Sequence, residues 1–385
     1  MPLSDGFLTE EQLDKPEPVY PLEAAFCGEC SLVQIMDTVD PEELFANDYA
    51  YYSSFSDELL RHSRANALEL IDSRSLDSES LVVELASNDG YLLRNYAEKG
   101  VPVLGIDPAD GPAREARTAG IETLNTFFTV DLAQTLAAEG VRADVIHANN
   151  VLAHVADTNG FVEGIAAILK DAGVAVIEAP YVRELVDNCE FDTIYHEHLC
   201  YFSVTALDAL FRRHGLYLQS IRQLSIHGGS LRLYVGKRDT PDASVMHLLE
   251  SEASAGVADL SYYRTFASRV AQVKETVAEM IAKTRSRRPV IGGYGAAAKG
   301  TILINYIDLG PDIMPFIADK NIHKHGKYMP GKHQPIVPPE TILEANPDYL
   351  FILPWNFSRE IMHQQDSFKR KGGKFIVPIP YPQIL

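Results

Sequence analysis

The chain has 385 residues, 46% of them hydrophobic, and sets 34 Lys and Arg against 53 Asp and Glu for a formal net charge of −19. That length predicts two or three domains rather than one core, and the acidic balance argues against nucleic acid as the main partner, because phosphate neutralisation needs clustered cations. No apolar run is long enough to span a bilayer, no secretory leader pattern opens the chain and four cysteines are too few for a disulfide scaffold, so the expectation is a soluble cytoplasmic protein without a membrane partner.

Residues 1–60 are rich in Pro, Tyr and acids and contain Cys27-Gly-Glu-Cys30. They close on Tyr49-Ala-Tyr51-Tyr52-Ser53-Ser54, which reads either as a flap over a substrate cleft or as a core aromatic cluster. From 61 to 240 the pattern is that of an α/β domain. Leu81-Val-Val-Glu84-Leu-Ala86-Ser-Asn88-Asp89-Gly90 is an apolar run that ends in an acid and a small-residue turn; after a helix-like segment, Val103-Leu-Gly-Ile-Asp107 ends in another acid. Strand, turn, helix, strand and ribose-binding acid form a βαβ unit that holds an adenosine group at the carboxyl ends of its strands. A dinucleotide site would show Gly-x-Gly-x-x-Gly, so that a pyrophosphate can approach bare backbone. Here the turn has one glycine, and the acids around it would repel an anion. S-adenosylmethionine has no phosphate and carries ammonium and sulfonium charges that acids favour. It is the expected cofactor, with Glu84, Ala86, Asn88, Asp89, Gly90 and Asp107 as its contacts; an ordinary α/β turn without a ligand is the other reading. The next strand end supplies Asn149, Asn150 and His154, suited to the methionine carboxylate or the adenine edge, or else to turn capping.

After the strand-like run Ala175–Glu178 comes the densest polar cluster, Phe191-Asp-Thr-Ile-Tyr195-His196-Glu197-His198-Leu-Cys200-Tyr201. In an extended backbone Tyr195 and Glu197 share one face and His196 and His198 the other. An imidazole suits proton abstraction near neutral pH, and a phenol can hydrogen-bond a carbonyl oxygen that gains negative charge. Those roles fit methylation at a carbon beside a ketone, where a proton must leave before the methyl group arrives. A His-x-His metal site and an inert surface strand are the other readings. His227-Gly-Gly-Ser-Leu-Arg232 reads as a ligand-approach loop whose Arg meets a phosphate, or as a plain turn between strands. Asp239-Thr-Pro-Asp242 marks a boundary, and 241–385 form the last region. Val270, Val273, Val277 and Ile281 recur at helical spacing. Pro289-Val-Ile-Gly-Gly-Tyr294-Gly-Ala-Ala-Ala-Lys299-Gly300 then runs from strand to glycine-rich turn to helix, a pyrophosphate cradle or a packing turn. Strand-like runs at Met314–Ala318, Tyr349–Leu353 and Lys374–Val377 make this a second α/β domain.

Taken in order, Tyr20-Pro-Leu22 with Cys27-x-x-Cys30 and Leu32-Val-Gln34, Tyr51–Ser54, Glu84–Gly90, Asn149–His154, Tyr195–His198, His227–Arg232 and Gly293–Gly300 resemble the S-adenosylmethionine-dependent C-methyltransferases of deoxysugar biosynthesis. The resemblance covers nearly the whole chain. It implies a small N-terminal zinc-binding module, a central Rossmann-like class I methyltransferase domain and a C-terminal Rossmann-like α/β domain that holds a nucleotide-sugar. The implied substrate is a nucleotide-linked 4-keto-deoxysugar, commonly a dTDP-sugar; the other readings are an O- or N-methyltransferase acting on a small metabolite and a non-catalytic nucleotide-sugar-binding protein. The implied base is His198, with Tyr195 steadying the enolate oxygen, Glu197 lining the site and Tyr51 reaching in. His196, His227, Arg232, Tyr294 and Lys299 are the expected substrate contacts. The family carries two Cys-x-x-Cys pairs around zinc, whereas this sequence has only Cys27 and Cys30 as candidate ligands. Two thiolates do not close a structural site, so the expectation is a module without bound zinc, or a chain whose start lies further upstream.

Overall fold

The computed structural model describes residues 1–42, 44, 52–285 and 290–385, with backbone alone at 227, 284 and 285. Its centre is a seven-stranded sheet in the order β5-β4-β3-β6-β7-β10-β9. The strands are β3 (Val82–Leu85), β4 (Val103–Ile106), β5 (Thr123–Leu124), β6 (Ala143–Asn149), β7 (Leu169–Pro180), β9 (Tyr217–Leu224) and β10 (Ser230–Gly236). The first five run parallel; β10 is antiparallel to both β7 and β9. Helices cover both faces, which is why β3 is buried at all four positions, Glu84 among them. Helix Asp57–Arg74, capped by the Ser56 side chain on Leu59 N–H, packs Leu59, Ala67 and Leu70 on one face. Helix Thr158–Ile168 places Phe161 and Ile165 in the core on the other.

The C-terminal domain is a second sheet in the order β13-β12-β11-β14-β15-β16. It comprises β11 (Ile291–Tyr294), β12 (Ile317–Ala318), β13 (Ile336–Val337), β14 (Tyr349–Ile352), β15 (Lys374–Val377) and β16 (Gln383–Ile384), parallel but for β16. Helix Phe266–Arg285 turns Val270, Val273, Val277 and Ile281 into its core, as their spacing predicts. In both sheets chain order reverses beside the first strand, at β3/β6 and β11/β14. That reversal opens a crevice at the carboxyl ends of the strands.

The N-terminal module is stitched to both domains. Its hairpin β1 (Ala24–Phe26) and β2 (Val33–Ile35) forms a three-stranded sheet with β8 (Cys200–Tyr201), just after the polar cluster. Upstream, Leu8 forms a bridge with Tyr328, and the Ser4 carbonyl accepts a hydrogen bond of 2.7 Å from Thr301 Oγ1. The architecture is thus α/β, with a central Rossmann-like domain, a small N-terminal module and a second α/β sheet.

Candidate active site between the two sheets

A cavity of about 930 Å³ runs from the β3/β6 crevice to the β11/β14 crevice. At the first turn Ala86, Asn88 and Gly90 have φ of +55°, +49° and +74°. This left-handed conformation is free for glycine, tolerated by Asn and costs Ala roughly 1–2 kcal/mol. Three alternate left-handed residues curl the backbone into a cradle that three glycines would otherwise make. Asp107, at the end of β4, locks it: Oδ2 accepts from Asn88 N–H (2.7 Å) and Oδ1 from Ala109 N–H (2.8 Å). Burial pushes the Asp107 carboxyl up to about 6.

Ala86, Asn88, Asp107, Asn149, Asn150 and His154 line the cavity. Glu84, Asp89 and Gly90 lie behind the wall. Asp89 Oδ2 and Asn88 Oδ1 accept from the backbone N–H of Ser54 (3.2 Å) and Ser53 (2.9 Å), tying the end of the N-terminal module to the cradle. Burial, then the charges of Asp107 and Asp89, push the Glu84 carboxyl well above the usual range. Tyr51 lies outside the described residues, as does the side chain of His227.

Residues 195–198 form a turn, closed by His198 N–H to the Tyr195 carbonyl (2.9 Å). The extended reading is therefore corrected: Tyr195 and His198 share a face instead of opposing one. Their rings stack with centroids 4.1 Å apart, and Tyr195 OH lies 2.9 Å from His198 Nε2. His198 Nδ1 is 2.9 Å from the Thr193 carbonyl. A carbonyl only accepts, so Nδ1 carries the hydrogen and Nε2 presents its lone pair to the phenol. His154 meets His198 edge-on at 4.7 Å; burial pushes it down to about 4, so it stays neutral near pH 7. Glu197 also lines the cavity, its Oε1 accepting from Ser4 Oγ (2.9 Å).

His196 does not join them. It is fully buried, with Nε2 3.0 Å from the Pro21 carbonyl and its ring against Tyr20, and fastens the N-terminal module to this loop. Arg232 is a second correction. It does not line the cavity: period-2 alternation along β10 turns it into the sheet, where Nε donates to Glu178 Oε1 at 2.7 Å.

On the opposite wall Tyr294 and the turn Gly295–Lys299 line the cavity. The glycines here serve close packing: a Cβ on Gly292 would meet Phe316, one on Gly293 would meet Ile317, and one on Gly295 would meet Pro354 at 2.4 Å. Asp319, at the end of β12, accepts from Ala296 N–H (2.6 Å) much as Asp107 does from Asn88. Lys299 sits with Nζ 4.4 Å above the Trp355 ring; burial lowers its ammonium pKa against the opposing charges of Asp192 and Glu190. Burial raises Glu190 to about 8 and Asp192 to about 6. Trp355 Nε1 donates to Asp192 Oδ2 at 2.8 Å. Lys320 and Lys324 line the same wall. Glu190, Trp355 and Asp5 belong to no motif in the sequence; only the fold brings them to this wall.

Family models match the chain end to end in three parts: "Putative zinc binding domain" at residues 1–45, "Methyltransferase domain" at 53–221 and "C-methyltransferase C-terminal domain" at 225–380. C-methyltransferase NovU of Streptomyces niveus is 33% identical over 387 residues, which span 100% of this chain and 92% of that protein. The chain belongs to this C-methyltransferase family. A ubiquinone biosynthesis O-methyltransferase of Saccharophagus degradans is 23% identical across 46% of this chain and 80% of its own. Magnesium protoporphyrin IX methyltransferase of Synechocystis, solved with bound S-adenosylhomocysteine, covers 46% of this chain and 83% of its own at 17% identity, TM-score 0.37, too distant to carry an argument.

The C-methyltransferase's cradle suits S-adenosylmethionine. Of the polar atoms on the cavity wall at this end, Asn149 Oδ1 is buried without a hydrogen-bond partner among the described residues. Acceptors left in that state call for a donor, and an ammonium-bearing ligand supplies one. Ile106, Pro108, Phe127 and Phe128 give the same end of the cavity an apolar wall for a purine. Zinc does not fit equally well. Cys27 and Cys30 stand in the turn between β1 and β2, and hydrogen bonds from the Cys30 and Glu29 backbone lower the Cys27 thiol. Among the described residues no group of three or more His, Cys, Asp and Glu could hold a metal.

Proposed function

We propose that the enzyme methylates the carbon beside the ketone of a nucleotide-linked 4-keto-deoxysugar, with dTDP as the nucleotide. The single observation that carries this reading is the Tyr195–His198–Thr193 chain of hydrogen bonds on the cavity wall. It presents an imidazole lone pair and a phenol side by side. A ketone oxygen that takes the Tyr195 hydrogen bond leaves Nε2 open to the neighbouring C–H. His198 removes that proton, and the Thr193 carbonyl steadies the imidazolium through Nδ1. Tyr195 stabilises the enolate oxygen as charge develops. S-adenosylmethionine, when bound, supplies an electrophilic methyl group on a sulfonium. The cradle, Asp107 and Asn149 position it, so that carbon and methyl meet without orientational search. Lys299, Lys320 and Lys324 give the far wall its cations, which suit a diphosphate. Among the described residues no helix is long and apolar enough to cross a membrane, and the reading places the enzyme in the cytoplasm with its two small-molecule substrates.

His198→Ala should lower kcat by about 10²–10⁴-fold, in line with loss of a general base, while S-adenosylhomocysteine affinity changes less than about threefold. Deuterium washout from the carbon beside the ketone, measured without methyl donor, should occur in the wild type and vanish in this variant. Washout that survives in His198→Ala would overturn the assignment.

A further inference from the structure

Behind the cavity wall a short path of hydrogen bonds joins the C-terminal domain to the imidazole of His198. Trp355 follows β14 in the single turn Trp355–Phe357 and is buried. An indole has one N–H, and Trp355 Nε1 donates it to Asp192 Oδ2 at 2.8 Å. Asp192 is wholly buried, and its Oδ1 has no hydrogen-bond partner among the described residues. Asp192 is the middle residue of the turn Phe191–Thr193. Ile194 N–H closes that turn on the Phe191 carbonyl (3.0 Å), and Thr193 Oγ1 donates back to the Glu190 carbonyl (2.7 Å). The Phe191 ring rests on Tyr306, of helix Ala298–Ile307, with centroids 4.9 Å apart. Two successive residues thus dock the turn on the C-terminal domain. The third, Thr193, offers its carbonyl to His198 Nδ1 at 2.9 Å.

A carbonyl only accepts, so this contact keeps the hydrogen on Nδ1 and the lone pair on Nε2. The distinction matters to a base. With the hydrogen on Nε2, the nitrogen beside Tyr195 could donate but could not take a proton. The place of one carbonyl oxygen therefore decides whether the imidazole stands in its reactive form. A backbone carbonyl has no rotamer of its own; it goes where its turn goes, and the Asp192–Trp355 bond holds that turn.

We propose that Trp355 is a positioning residue: through Asp192 it fixes the turn Phe191–Thr193, so that the Thr193 carbonyl keeps the hydrogen on His198 Nδ1 and leaves Nε2 as the base. This rests on the role of His198 proposed above. In that reaction the carbon-bound proton passes to Nε2 and the Nδ1 hydrogen stays in place. No proton moves through Asp192 or Trp355, both of which lie behind the residues that line the cavity. Trp355 is also the ring that Lys299 Nζ overlies at 4.4 Å. One side chain thus supports both a cation of the far wall and the orientation of the base.

The test uses the intact enzyme with nitrogen-labelled histidines, the His198 signals being those lost in His198→Gln. At about pH 8.5, where an ordinary imidazole is neutral, nuclear magnetic resonance should show wild-type His198 with its hydrogen on Nδ1. Trp355→Phe keeps a ring beneath Lys299 but has no N–H. It should convert that form into a mixture with Nε2–H and lower kcat about 10- to 100-fold. KM for a dTDP-4-keto-sugar should stay within about threefold, and S-adenosylhomocysteine affinity within about twofold. Asp192→Asn, the conservative variant, keeps an oxygen that accepts from the indole. It should retain the Nδ1–H form and at least about a third of the wild-type kcat, a rescue that a purely packing role of Trp355 does not predict. A wild-type His198 in the Nε2–H form, an unchanged tautomer in Trp355→Phe, or equal losses of kcat in Trp355→Phe and Asp192→Asn would overturn the proposal. Should Trp355→Phe not fold, Asp192→Ala breaks the same bond from its other end and carries the same expectations. The tautomer is read without substrate. A wild type that holds the Nδ1–H form yet methylates no keto-sugar refutes the proposed reaction, and not the link from Trp355 to His198.

Discussion

Replacing Arg232 separates two readings of one motif. If the Arg of His227–Arg232 meets a substrate phosphate, its loss raises KM. The structure instead pairs it across β10 and β7 with Glu178, in direct register. Both side chains are buried. Arg232 Nε lies 2.7 Å from Glu178 Oε1, and His62, from helix Asp57–Arg74, places Nε2 2.9 Å from Arg232 NH2 and 2.9 Å from the same carboxylate oxygen. Arg232→Ala strands a buried carboxylate, a loss of about 3–5 kcal/mol. Urea unfolding followed by circular dichroism should show it, while KM for the nucleotide-sugar stays within about threefold. The double variant Arg232→Met with Glu178→Leu strands no charge and should lose less. Burial alone would raise the Glu178 carboxyl, but the hydrogen bond from His62 and the charge of Arg232 outweigh it and hold it below the usual carboxylate range. A depressed carboxyl stabilises the fold fully above its unfolded value, and that contribution disappears as pH falls through the folded value. The acid-induced loss should accordingly be shallower in the double variant. A large rise in KM for Arg232→Ala with an unchanged unfolding midpoint would refute the buried-pair reasoning.

Three further outcomes follow from the cavity. Gly90→Ala forces a side chain into φ +74° with its Cβ 3.0 Å from Ile121 Cγ1; it should cost about 1–3 kcal/mol in thermal unfolding and weaken S-adenosylhomocysteine binding. Burial pushes the Asp107 carboxyl up to about 6, and the ionised form would accept more strongly from ribose hydroxyls than the protonated one. Calorimetric affinity for S-adenosylhomocysteine should fall below that pH, at most about tenfold per unit, and Asp107→Asn should flatten the profile. Lys299→Met removes the cation over Trp355; KM for the nucleotide-sugar should rise about tenfold with S-adenosylhomocysteine affinity unchanged, and an unaltered KM would take Lys299 out of the substrate site.

Much of the fold was legible because its signals are local. The run Val82–Leu85, the acid Asp107 at the next strand end and the helical recurrence of Val270, Val273, Val277 and Ile281 each announce their element. The cradle was legible by its acids even though Ala86 and Asn88 occupy left-handed positions where glycine is the usual signal. The Tyr195–His198 contact was not legible in geometry: the two rings meet because a turn brings i and i+3 together, which alternation along an extended strand does not predict. Arg232 misled because its partner Glu178 lies 54 residues earlier and only sheet register reveals it. Asp5 could not be read at all, since its place follows from the pairing of Leu8 with Tyr328.

The same non-local assembly explains how so acidic a chain accommodates two ligands of opposite charge. Around the cradle stand Glu84, Asp89 and Asp107, and among the described residues no Lys or Arg of the β3/β6 crevice lines the cavity. The lysines of the cavity wall, Lys299, Lys320 and Lys324, all come from the C-terminal domain. Burial raises Glu190 and Glu197, so the acids nearest the lysines hold protons more readily than surface carboxylates and limit the repulsion that a diphosphate would feel. A sulfonium at one end and a diphosphate at the other each meet a wall of the opposite sign. In the proposed reaction that segregation would orient the two substrates before any contact at the reacting carbon is made, with Tyr195, His198 and His154 at the point where the walls meet.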